Sequence, residues 1–264
     1  MTLNYRFEVI IRIFLYFFIL LLTACVTESK TIGEEIKIKD ANVRADNSAQ
    51  RAISYMEIDQ LKTAELILKK TLKEAPKHSA ANYTFALLKL RLKEANKAEK
   101  YFRIAVESDP NNSTAAHDYG YYLCQKKNYD KALKMFELAI ANPLFINKGR
   151  SYLRAGECIF GKDKGLAEKY FLAAYKENNF LSVALYRLAE LHFSKNNPFK
   201  ARAYYERYAA VQPESSHSLY LAYRIEQLSG AKSQADEYKS RLLTKFPGSQ
   251  EAIKVRKKRK GKNG

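Results

Sequence analysis

The chain has 264 residues, with 46 Lys plus Arg against 28 Asp plus Glu, three Cys and no Trp. An apolar fraction of 47% beside 28% charged residues excludes wholesale disorder. The length fits one or two globular domains, or a regular repeat array.

Residues 1–24 read as a targeting signal. Arg6 and Arg12 supply its basic start, and Ile13 to Leu22 is uninterrupted apolar sequence. As a helix that run would be about 15 Å long, roughly half the hydrocarbon thickness of a bilayer, which favours an export signal over a membrane span. Leu22-Thr23-Ala24-Cys25 then resembles the bacterial lipobox, in which small residues precede a cysteine. That resemblance implies cleavage before Cys25 and acylation of its thiol and new amine, so that several chains anchor the protein to a membrane. Val26 follows where an acidic residue would mark retention at the inner membrane, so the sorting rule points to the outer membrane, with the body in the periplasm. Residues 25–44 are mixed in charge and poor in large apolar side chains, the composition of a lipidated tether.

A repeat begins at about residue 45. Pro76 and Pro110 stand 34 apart, as do Pro213 and Pro247, and the interval between the two pairs is three further units. A period of 34 is the tetratricopeptide spacing, one helix pair per unit. Small residues keep the same frame, at Ala52/Ala64, Ala86/Ala98/Ala105, Gly120/Ala132/Ala139, Ala155/Ala167/Ala174, Ala189/Ala201 and Ala235. Phe102, Phe136, Phe171 and Tyr205 recur four residues after the middle alanine. Two antiparallel helices approach closely only where side chains are small, and the aromatic then fills the space against the next unit. In Asp109-Pro110-Asn111-Asn112-Ser113 the proline stops one helix and Ser113 is the expected N-cap of the next.

The predicted fold is therefore all-α, a right-handed superhelix of about six helix pairs over residues 45–247. Residues 248–264 then form a helix end and a basic tail. At the fifth position of successive first helices stand Tyr83, His117, Tyr152, Tyr186 and Tyr220. Such positions line the concave face, where tyrosines serve either as half-buried packing or as rigid amphipathic contacts for a bound peptide.

Other chemistry is weakly signalled. Gly156 to Asp163 misses a phosphate-binding loop by one residue, since Asp163 replaces the Ser or Thr that would hold Mg²⁺. His78, His117, His192 and His217 fall in different units without metal-ligand spacing. No nucleophile comes with an identifiable base, so neither catalysis, a cofactor, a metal nor a small-molecule substrate is expected. The tail carries seven basic residues between Lys254 and Lys262. A solvated, disordered run is the default, and attraction to anionic headgroups is the next reading. Nucleic-acid binding would be the cytosolic interpretation, and export argues against it.

Several words are more specific than the repeat spacing. The stretch 118–145 (DYGYYLCQKKNYDKALKMFELAIANPLF), AGECIF at 155–160, LAELHFSKNNPFKARAYYERY at 188–208 and LAYRIEQLSG at 221–230 carry them. Together with the lipobox they resemble the type IV pilus biogenesis and stability lipoproteins PilW and PilF, six-repeat outer-membrane pilotins. The resemblance covers residues 45–252 and departs at the basic C-terminus. It implies a non-enzymatic lipoprotein that binds the secretin subunit and promotes its outer-membrane localisation and multimerisation. A scaffold for another outer-membrane machine, such as the β-barrel insertion complex, is the alternative. Cys124 and Cys158 fall late in consecutive first helices, which leaves open two buried thiols or a bridge. The YLC and AGxC words of the family imply the bridge.

Overall fold

The computed structural model describes residues 35, 37–177 and 181–260, so the predicted signal, Cys25 and most of the tether lie outside the described residues. All regular structure among them is helical, and the chain divides into two compact units at Asp109/Pro110.

The first unit contains α1 (residues 37–57), α2 (Leu61–Glu74), α3 (Ser79–Arg91) and α4 (Ala95–Ser108). Helix α1 reaches back into the stretch expected to be a tether. Its seam explains why: Ala49, Ala52 and Met56 pack with Ala64 and Leu68 of α2, and Ala45 one turn earlier is 2% exposed. Small side chains suffice there because α2 lies close. Lys89 is buried on α3 and is held by Glu65, 2.9 Å away, while Glu65 is also 2.8 Å from Lys69. The hydrogen bonds from Lys69 and Lys89 hold the Glu65 carboxyl down at about 2.

The second unit contains α5 (Ser113–Gln125), α6 (Tyr129–Ala141), α7 (Lys148–Ile159), α8 (Lys164–Lys176), α9 (Leu181–Ser194), α10 (Pro198–Ala209), α11 (Ser216–Ser229), α12 (Lys232–Lys245) and α13 (Gln250–Lys260). Helices pack as consecutive hairpins, and each hairpin stacks on the next: α7 on α6 and α5, α9 on α8, α11 on α10 and α9. Helix α13 closes the stack, burying Ala252 and Val255 with Leu219 and Tyr223 of α11 and Leu242 of α12. The basic run expected to be a disordered tail is thus helical as far as Lys260, because its first turns have an apolar seat.

Local chemistry sets the helix ends. Asn112, not Ser113, caps α5, its Oδ1 accepting from Ala115 N at 3.0 Å; Ser113 is the first helical residue. Asp163 accepts from Gly165 and Leu166 N, and Ser215 forms a capping box with Ser218. Asp59, Lys93, Lys127 and Asn196 take φ near +60° in the tight turns inside four hairpins, where the sharp reversal outweighs a cost of about 1–2 kcal/mol each.

The expected close approach is present, with one shift of register. Phe102, Phe136 and Phe171 are fully buried. A Cβ on Gly120 would stand 3.0 Å from Phe136, and one on Gly156 would stand 2.5 Å from Phe171. Gly156, rather than Ala155, is therefore the small residue of its hairpin. It follows Gly120 by 36 residues where Gly120 follows Ala86 by 34, so the side chains of α7 sit one place later than the frame counted from Ala155, and two later than a constant period of 34.

Candidate peptide-binding face

The shift decides which side chains line the inner face. Counting back from Ala86, Gly120, Gly156 and Ala189 as equivalent, the fifth position of the first helices holds Tyr83, His117, Leu153 and Tyr186, with Tyr220 at that place in α11. Tyr152 falls at the fourth position. Its equivalents there are Asn82, Ala116, Leu185 and Leu219, none more than 2% exposed. Tyr152 itself is half-buried, and it lies close enough to Tyr170 to bear on its titration. The Tyr170 hydroxyl donates to Glu137 Oε1 of α6 at 2.7 Å. Tyr152 therefore stands at a packing position between hairpins, one place off the series that holds Tyr186.

The other four candidates divide. Tyr83, in the first unit, is half-buried with its ring 6.3 Å from that of Phe102. His117 is 6% exposed, its Nδ1 2.8 Å from Ser151 Oγ and its ring against Phe136 and Phe145. It is a core residue rather than a contact. Tyr186 and Tyr220 are half-buried and reach the surface of the second unit. Burial pushes the Tyr186 hydroxyl well above the ordinary phenol range, and Glu190 adds to the effect, so it is a neutral hydrogen-bonding group at any physiological pH.

Around Tyr186 lies a depression of about 410 Å³, lined by Val183, Arg187, Glu190, Tyr208, Ser215 and His217. Tyr208 stands 5.3 Å from Tyr186 ring to ring. The cations of this face are mostly saturated. Arg187 reaches Glu157 of α7 at 2.6 Å and Glu190 at 2.7 Å. Burial works against its charge, but those two carboxylates outweigh it and raise its pKa. Arg154 pairs with Glu157 at 2.8 Å and lies over the Tyr121 ring. A hydroxyl-bearing, aromatic depression with fixed charges on its rim suits an extended peptide.

Spacing alone missed Arg187, Glu190 and Arg224. A signal for two of them exists: residues four beyond Tyr186 and Tyr220 share their helix face, and those are Glu190 and Arg224. Among the described residues no group of three His, Cys, Asp or Glu could hold a metal, and no helix is long and apolar enough to cross a membrane. Cys124 at the end of α5 and Cys158 in α7 are joined in a disulfide, their Cα atoms 5.7 Å apart.

Comparison with known proteins agrees with the helix pairs. Tetratricopeptide-repeat families match residues 83–143 and 183–215. No curated protein sequence matches the chain. Among solved structures, PilF of Pseudomonas aeruginosa superposes with a TM-score of 0.68 at 23% identity, over 83% of this chain and 99% of that one. PilW, described as a widely conserved type IV pilus biogenesis factor, gives a TM-score of 0.67 at 26% identity, over 80% of this chain and 97% of that one. YrrB, described as having an unusual peptide-binding site, gives 0.59 at 19% identity, over 72% of this chain and 97% of that one.

Proposed function

Because the chain is a tetratricopeptide-repeat protein with the fold of PilF and PilW, we propose that it is a pilotin of a type IV pilus system. In this reading Cys25 carries the lipid that holds the protein on the periplasmic side of the outer membrane. The helical body binds a secretin subunit, brings it to that membrane and favours its multimerisation, acting as a binding surface and not as an enzyme. The observation that carries the proposal is the likeness to PilW, which extends over nearly the whole of that protein. The aromatic depression on α9 gives such a body a place to hold an extended segment of a partner.

Removal of the chain should abolish heat-resistant secretin multimers and surface pili. Cys25→Ser should move the protein out of the outer-membrane fraction, end its labelling by fatty acid and lower the multimers. Full multimer formation without the chain would reject the pilotin role. Equal labelling of the Ser variant would reject the anchor alone.

A further inference from the structure

Helix α11 carries a guanidinium that meets no carboxylate among the described residues. Arg154, Arg187, Arg202 and Arg241 each meet a carboxylate. Arg224, exposed on α11, makes no ion pair or hydrogen bond among the described residues. Its guanidinium instead lies 4.4 Å from the centre of the Phe193 ring of α9 and 5.7 Å from that of Tyr220. Lys254 of α13 approaches the same Tyr220 ring at 5.9 Å, also without an ion-pair partner among the described residues. Contact with two ring faces uses none of the guanidinium N–H donors, and a guanidinium edge matches a carboxylate two bonds at a time.

We propose that Arg224 is the carboxylate receptor of the peptide site, so that the bound segment carries an Asp, a Glu or a C-terminal carboxylate at a set distance from a large apolar side chain. The apolar side chain enters the depression between Val183, Tyr186 and Tyr208, whose rim includes His217. Arg224 lies seven residues beyond His217 on α11, about 10 Å along the axis. An extended peptide covers that span with about three residues. Charge complementarity points the same way. Upstream on this face Arg154 and Arg187 are balanced by Glu157 and Glu190, whereas at the α11–α13 end Glu251 stands against His217 and Lys254, which leaves Arg224 without a carboxylate. The inference rests on the peptide-binding reading of this face, but not on the partner's being a secretin.

The test selects 12-residue peptides from a random displayed library on the full chain in detergent. Selected sequences should pair an acidic residue with an aliphatic or aromatic one about three residues away. Replacing that acid by its amide should weaken binding about three- to fivefold, as expected for an exposed charge pair. Arg224→Gln should weaken the acidic peptide equally and the amide peptide no further, whereas Lys134→Gln, exposed on α6, should change neither. Selected peptides without an acidic preference, or equal binding of the acidic peptide by Arg224→Gln with an unchanged melting midpoint, would overturn the proposal. Secretin multimers do not enter this measurement, so its failure and that of the pilotin role are read separately.

Discussion

His117 shows what a single residue costs when a polar ring is placed in a core. Its Nδ1 has Ser151, and its faces have Phe136 and Phe145. Burial lowers its pKa, Asp118 opposes that, and Arg150 and Arg154 reinforce it. His192 is likewise lowered by burial, with Glu168 opposing and Lys200 and Lys195 reinforcing. A folded-state pKa below the unfolded value means that the unfolded chain binds the proton first as pH falls. The stability due to the neutral ring is fully present above about 6.5, the ordinary histidine value, and is lost as pH drops below it. The thermal midpoint should therefore fall between pH 7.5 and pH 5.5. His117→Gln, which keeps a hydrogen-bonding group without the titration, should show a smaller fall, with His192 supplying what remains. A midpoint that is flat over this range, or a fall of equal size in the variant, would remove His117 from the account.

Between elements, the bridge from α5 to α7 constrains the hairpin of α5 and α6 together with the start of the next. Its half-cystines are separated by 34 residues, and closing a loop of that size stabilises by about 4 kcal/mol in the chain-entropy view. Cys124→Ser should lower the unfolding midpoint of the oxidised protein, and reductant should bring the wild type to the same value. Two titratable thiols in the folded, unreduced chain would contradict the linkage. Much of this architecture is legible in sequence, because the alanine, glycine and aromatic positions are where the helices touch. The errors have physical causes. Of residues 37–44 only Ala41 is not exposed, so the first turns of α1 read as tether, and the burial that marks the repeat begins at Ala45. The α6–α7 connection lengthens one repeat, and a single residue of slip turned Tyr152 from the inner face to the space beside Tyr170. Stacking of Arg224 on Phe193 joins residues 31 apart on different helices, a tertiary contact that no local pattern contains.

At the scale of the whole molecule, the slip in α7 separates Tyr152 from Tyr186 and Tyr220, with which it otherwise reads as one series. Tyr186 and Tyr220 stand on the inner face, the first in the wall of the depression and the second beneath Arg224 and Lys254. Tyr152 occupies a place that is core in every other repeat of its kind. Truncating aromatic anchors at the centre of an interface typically costs about 2 kcal/mol or more in binding, whereas truncating a packing ring is felt first in stability. Tyr186→Ala with Tyr220→Ala should therefore retain helicity by circular dichroism while sharply reducing heat-resistant secretin multimers and surface pili. Tyr152→Ala should do the reverse, lowering the melting midpoint while each folded molecule still supports multimers. The comparison needs both variants at matched folded abundance in the membrane fraction. If the double variant folds and yields wild-type multimers, the inner tyrosines are packing only, and the partner binds elsewhere on the body. If Tyr152→Ala alone removes multimers without loss of stability, the register assigned to α7 is wrong and Tyr152 returns to the binding face.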